Sequence, residues 1–383
     1  MTSCCSRECR RRSIAGPRPD GAGQLPRREE SVMNGFVWVS RTAALVFLLL
    51  FTLFPEAQAQ KWGRLAPFPE PSEELYGIAA GGKFYVFGGL APGWKPKALV
   101  YEYDPENDTW SKKKNMPIPS HHVGLAELNG KIYVIGGFKY PDGGKPAWQP
   151  IDNAWEYDPK ADSWKALAAM PTKRGSPNAV VHKGKIYVIG GAGVHPGSKA
   201  VEIHPARPHR ALSVNEVYDP AANTWQARSP MPTARNHAAA GMVNDKIYVI
   251  GGRLGAAFIT RASNTGIVEE YDPATDQWGS LKAPMITPRS AVAWDTYQGR
   301  IYVAGGEERS DGPWQRTFRA VEAFDPRNNV WTSLPTMTFP RHGLAGAIVN
   351  GKLHLVSGDA ASGGAPGTEL HTDVHEVLDL EAK

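Results

Sequence analysis

From residue 84 onward the chain repeats one pattern: a short apolar run that ends on glycine. The runs are Phe84-Tyr-Val-Phe-Gly-Gly89, Ile132-Tyr-Val-Ile-Gly-Gly137, Ile186-Tyr-Val-Ile-Gly-Gly191, Ile247-Tyr-Val-Ile-Gly-Gly252 and Ile301-Tyr-Val-Ala-Gly-Gly306, with a degenerate sixth, Leu353-His-Leu-Val-Ser-Gly358. Their ends lie 48, 54, 61, 54 and 52 positions apart. Runs this short and this rich in β-branched and aromatic residues predict strands. Before all but the first stands a turn dipeptide of the Asn-Gly type: Asn129-Gly130, Lys183-Gly184, Asn244-Asp245, Gln298-Gly299 and Asn350-Gly351. Each dipeptide predicts a tight hairpin.

A second polar-apolar run follows in every unit and closes on an aromatic-Asp-Pro step: Glu102-Tyr-Asp-Pro105, Glu156-Tyr-Asp-Pro159, Glu216-Val-Tyr-Asp-Pro220, Glu270-Tyr-Asp-Pro273 and Glu322-Ala-Phe-Asp-Pro326. Seven residues after each aromatic comes a tryptophan, at 110, 164, 225, 278 and 331. Proline fixes φ and Asp caps the bend, so this step predicts a second hairpin. Two hairpins in about fifty residues make a four-stranded antiparallel unit, and the period predicts a radial array.

The double glycine, the Tyr-Asp-Pro and the spaced Trp together resemble the kelch repeat, and the resemblance covers residues 60–383. It implies an all-β fold, a six-bladed kelch β-propeller. The sixth unit offers Val374-His-Glu-Val-Leu-Asp-Leu380 as a third strand and then stops before any Trp. Trp62 supplies the missing member of the series. Residues around 60–66 are therefore expected to form the outer strand of the last blade, removing a free sheet edge. The Trp and Tyr rows are expected to pack between blades.

The first 59 residues do not share the pattern. Residues 1–32 are Arg-rich and hold all three cysteines, Cys4, Cys5 and Cys9. Met33, the basic Arg41, the apolar run from Ala43 to Phe54 and Ala57-Gln-Ala59 follow the order of a secretory signal peptide. We expect translation to start at Met33, cleavage after Ala59, and no stable membrane anchor afterwards. Residues 1–59 contain eight arginines and five acids, so their loss reduces the net charge from +5 to +2. No polybasic stripe remains, which argues against a nucleic-acid partner. An exported chain without cysteine suits a bacterial periplasm or exterior, although the sequon Asn107-Asp-Thr109 points the other way.

Length variation is confined to one connection of the repeat. From the last glycine to the aromatic, the units span 14, 20, 27, 19, 18 and 20 residues. Variable loops on a rigid scaffold are where recognition sits. The link between units carries a register of its own. Seventeen residues before each final glycine stand Ser72, Ser120, Arg174, Arg235, Arg289 and Arg341. Next come Glu73, His121, Gly175, Asn236, Ser290 and His342, then Glu74, His122, Ser176, His237, Ala291 and Gly343. Four arginines at one equivalent position predict an Arg-lined mouth that grips a carboxylate. The alternative is that they bond backbone carbonyls or the repeat's own Glu.

Candidate ligand residues are therefore Arg174, Arg235, Arg289 and Arg341, with His122, Asn236, His237 and His342 beside them. Trp94, Trp148 and Trp314, with Phe138, Tyr140 and Phe258, offer loop aromatics for sugar stacking or a protein hot spot. Glu307 and Glu308, followed by Arg309, are the candidates for acid/base catalysis. The spacing of His195, His204 and His209 matches no metal motif, and no metal or cofactor is expected.

Among enzymes of the resembled family, copper-radical galactose oxidases need a cysteine bonded to a tyrosine, and residues 60–383 contain none. Exported bacterial sialic-acid mutarotases match better in size. That likeness implies Glu307 or Glu308 as acid/base and Arg289 or Arg235 as carboxylate anchor. Kelch adaptors carry an extra dimerisation domain that is not evident here. The sequence thus reads as an exported binding propeller that takes an acidic ligand, a carboxylated sugar or an acidic protein segment, at an Arg-lined mouth, with a mutarotase or epimerase of a sialic-acid-like sugar as the alternative. Its partner is a protein or an acidic glycan on the loop face.

Overall fold

The structure, a computed structural model, describes residues 61–382 apart from 144–146, 204–209, 256–262, 309–315 and 363–366. Six four-stranded antiparallel sheets follow one another. In blade 1 the strands run from inside to outside as Glu73–Ala80, Lys83–Ala91, Lys95–Asp104 and Thr109–Lys112. The inner strands of blades 2 to 6 are Gly124–Leu128, Asn178–His182, Ala239–Val243, Ala293–Tyr297 and Ala345–Val349. Each inner strand touches those of both neighbours, blade 6 against blade 1 included, so the ring closes.

Closure is by strand pairing, at the expected place. Trp62–Arg64 pairs antiparallel with His375–Asp379 and completes blade 6, with Trp62 opposite Leu378 and Arg64 opposite Glu376. The indole N–H of Trp62 donates to Pro335 O at 3.0 Å, in the link before its own blade. Trp110, Trp164, Trp225, Trp278 and Trp331 make the same bond to Ala66, Lys114, Ala168, Ser229 and Ala283. The aromatic rows are blade-to-blade mortar. Tyr103, Tyr157, Tyr218 and Tyr271 are fully buried and donate to the side chain five residues on, each within a left-handed turn at Asp108, Asp162, Asn223 or Asp276.

The long connections and the inter-blade links emerge on one face, here the loop face; the hairpin turns lie on the other, the turn face. The double glycine is what lets the end of the second strand lie against the link backbone. In blades 2 to 6 the second glycine has φ between 89 and 111°. A Cβ on Gly137, Gly191, Gly252, Gly306 or Gly358 would stand 2.6–2.8 Å from the carbonyl oxygen of His121, Gly175, Asn236, Ser290 or His342. No side chain fits there. The residue after each pair is thereby placed against the link: Phe138 with His121, Ala192 with Gly175, Arg253 with Asn236, Glu307 with Ser290, Asp359 with His342, and Leu90 with Glu73.

Candidate functional site

The four arginines do not open onto the mouth. Arg174, Arg235, Arg289 and Arg341 are fully buried, and each pairs with a glutamate on the third strand of its own blade: Glu216 at 2.5 Å, Glu269 at 2.8 Å, Glu322 at 2.5 Å and Glu376 at 2.9 Å. Each also donates from Nη2 to a second-strand carbonyl, Val188 O, Val249 O, Val303 O or Leu355 O. Burial draws Arg235 and Arg341 down to about 10 against the pull of their glutamates, which leaves both charged at neutral pH. The expected Arg-lined anion receptor is replaced by four sealed ion pairs. The physical reason is direction: a long side chain near the end of the link turns in between two strands, where a carboxylate and a strand carbonyl meet it.

The mouth itself is formed by the next two positions. Glu74, His122, Ser176, His237, Ala291 and Gly343 all take left-handed backbone, φ 52–58°. They are joined from blade to blade. Ser176 N donates to His122 O, His237 N to Ser176 Oγ, Ala291 N to His237 O, Gly343 N to Ala291 O, and Leu75 N to Gly343 O, at 2.7–3.2 Å. The last junction is made by side chains, Glu74 Oε2 with His122 Nε2 at 3.1 Å. All six residues are buried, so the hoop plugs the axis at the loop face. Below it lies an axial cavity of about 310 Å³ lined by Tyr76, Ile78, Leu125, Val181, Met242 and Trp294 among others. Lining residues toward the hairpins, such as Glu127, Val181 and Thr296, are part-exposed, and the cavity opens on the turn face.

Around the hoop the two sides differ. Over blades 1 to 3 the positions after the glycines are Leu90, Phe138 and Ala192, packed with Trp148 into one apolar cluster. Trp148 stacks on Phe138 at 5.4 Å and meets the rings of His121 and His122 at 5.0 and 4.9 Å. Over blades 4 to 6 the same positions are Arg253, Glu307 and Asp359. Arg253 pairs with Glu307 and donates to Ser290 Oγ at 2.8 Å, and Ser362 Oγ donates to Glu307 Oε2 at 2.6 Å. His342 Nε2 faces Glu73, Glu307 and Glu74 at 3.5, 3.8 and 3.9 Å. Burial opposes charge on His342, yet these carboxylates outweigh it and push the imidazole to about 10. Burial likewise resists charge on Glu73, and His342 with His371 hold it low all the same.

Of the residues singled out in the sequence, His122, His237 and His342 stand at the mouth with Glu307. Asn236 is there too, bonded to the His237 ring. Trp94 and Trp148 are buried, not displayed on the rim. Glu308 is more exposed and pairs with Arg316 at 2.5 Å. Trp314, Phe258, His204, His209 and Arg309 lie outside the described residues, as does the whole of 1–60. Glu73, Glu74, Arg253, Asp359 and His371 were not anticipated as site residues. The signal for two of them is the place after the double glycine, where Arg253 and Asp359 share the register of Glu307.

Three comparisons bear on identity. A family model for the Kelch motif matches residues 78–117, 119–171, 173–232, 234–282 and 288–338. Kelch-like protein terF of Aspergillus terreus is 28% identical over 303 residues, 76% of this chain and 62% of its own length. Kelch-like protein 36 of Bos taurus is 26% identical over 293 residues, 74% of this chain and 44% of its own. This chain thus spans roughly half the length of the curated relatives it matches. Among solved structures, one titled "Structure of YjhT" aligns over 82% of this chain and 96% of its own at a TM-score of 0.64 and 18% identity, a likeness of fold. With five matched repeats, six blades and the N-terminal strand closing the ring, the chain belongs to the Kelch motif family.

Proposed function

We propose that this chain is an exported recognition propeller that takes a protein partner on its loop face. One observation carries the reading. Among the described residues, six large apolar side chains are exposed, and four of them, Val201, Ile286, Phe339 and Leu370, belong to the links and connections of that face. Exposed apolar groups gathered on one face mark an interaction surface. The same face holds all the length variation of the repeat. A partner's charge preference follows from the mouth: with the four arginines committed internally, carboxylates outnumber free cations there, so the groups meeting the mouth are basic. The signal-like segment 33–59 supports export, with a processed chain beginning at Gln60.

The mutarotase reading gains nothing from the geometry. Glu307 is tied to Arg253 and Ser362, and Arg235 and Arg289 are sealed within their blades. To test partner binding, a photo-crosslinking residue is placed at Ile286, at Leu370 or, on the turn face, at Asn129. Discrete adducts at the first two sites and none at the third are expected. Equal labelling on both faces overturns the proposal. N-terminal sequencing of the exported chain checks the cleavage site.

A further inference from the structure

We propose that Glu73, Glu74 and His342 form a binding site for a divalent transition-metal cation of the Zn²⁺ class, with the Glu307 carboxylate at its border. This goes beyond partner binding and does not depend on it. The donor atoms of the three residues lie within 4.8 Å of one another, and all three residues are buried. The spacing separates them from ordinary ion pairs. His342 Nε2 stands 3.5 Å from Glu73 Oε2, 3.9 Å from Glu74 Oε1 and 3.8 Å from Glu307 Oε2. Charge-assisted hydrogen bonds run at about 2.7–2.9 Å. Two ligands on a tetrahedral Zn²⁺, each about 2.0–2.1 Å from it, stand about 3.4 Å apart. One imidazole nitrogen ringed by three carboxylate oxygens at the longer spacing is what a shared cation leaves room for.

Charge counting points the same way. Glu73, Glu74, Glu307 and Asp359 converge against a single guanidinium, that of Arg253. A divalent cation would offset part of the remaining carboxylate charge. His371 adds an independent sign. Its side chain is 8% exposed, its Nε2 has no hydrogen-bond partner, and it points at Glu73 Oε1 from 3.8 Å. The second oxygen of the ligand Glu73 is therefore faced by an imidazole that would orient it, as outer-shell groups do around metals. Glu73 and Glu74 open blade 1 and His342 opens blade 6, so the cation would sit across the seam where the ring closes.

The test uses the chain as expressed, without a histidine tag and stripped by chelator, titrated calorimetrically with ZnCl₂ and with MgCl₂. One Zn²⁺ per chain is expected, with Mg²⁺ far weaker, a rise in melting temperature on Zn²⁺ addition, and a four-coordinate visible spectrum with Co²⁺. Glu74→Gln and His342→Gln should each weaken Zn²⁺ binding at least 100-fold. Unchanged affinity in both variants overturns the site, as does an anomalous Zn peak located elsewhere in a crystal. If His342→Gln fails to fold, Glu74→Gln decides the matter, because it preserves shape and relieves negative charge in the metal-free protein.

Discussion

Two sets of buried charges lie within a few residues of each other and are handled in opposite ways. In the links, Arg174, Arg235, Arg289 and Arg341 each meet one glutamate and a set of carbonyls, and the count balances in every blade. At the mouth, Glu73, Glu74, Glu307 and Asp359 gather around one guanidinium, that of Arg253, with the imidazoles of His122, His342 and His371 beside them. Repetition explains the first set: it is the same joint built four times. The second breaks the repeat, since Arg253, Glu307 and Asp359 stand at positions where the other blades carry Leu90, Phe138 and Ala192. Balanced charge marks scaffold here, and surplus charge marks the place where something else is received.

The comparison breaks most visibly at the seam. Starting the chain at residue 70 removes Trp62–Arg64 and leaves an open edge on His375–Asp379. We expect loss of cooperative melting or aggregation, read by calorimetry and light scattering; a fully stable 70–383 chain would refute closure by this strand. Next in size, Glu322→Gln strips the partner from a buried guanidinium, Arg289, and should cost about 3–5 kcal/mol in urea denaturation. Glu74→Gln removes a charge from the surplus side and should cost little in metal-free protein, or stabilise it. Equal losses for the two variants would erase the distinction between joint and mouth.

A third treatment of buried titratable groups sharpens the contrast. His354 and His375 sit 3.0 Å apart against Phe84, Tyr103 and Trp110 at the seam. Burial pulls His354 down to about 4 and His375 to about 3. The folded chain refuses protons that the unfolded chain accepts near 6.5. Stability is therefore full above about pH 6.5 and falls as the pH drops toward 3. Urea midpoints between pH 7 and 4 should show this slope, and His375→Asn should flatten it; a flat wild-type profile would count against it. The smallest effect is expected at Ala291, whose φ of 53° is unfavourable for a residue with a Cβ. Ala291→Gly should gain up to about 1 kcal/mol in the same assay, and a loss there would mean the hoop depends on that methyl.

The ring was legible because its signals are periodic. The double glycines, the Tyr-Asp-Pro steps and the Trp series each recur, and one absent Trp at the end of the chain pointed to Trp62 at its start. The direction of the arginines was not read, although a sign of it was present. Glu216, Glu269, Glu322 and Glu376 stand two places before the aromatic position in the four blades with Arg, and Tyr101 and Trp155 stand there in the two blades with Ser. A repeat position alone does not say which way a long side chain turns; the residue that changes with it does. The mouth was harder for the opposite reason. Glu73, Arg253, Asp359 and His371 each occur once at their positions, and only the curvature of the ring brings them together.

With the hoop bonded from every blade to the next, a buried ring of described residues lies between the central cavity and the loop face. A solute in the cavity and a partner on the loop face would therefore touch different residues of the same inner strands.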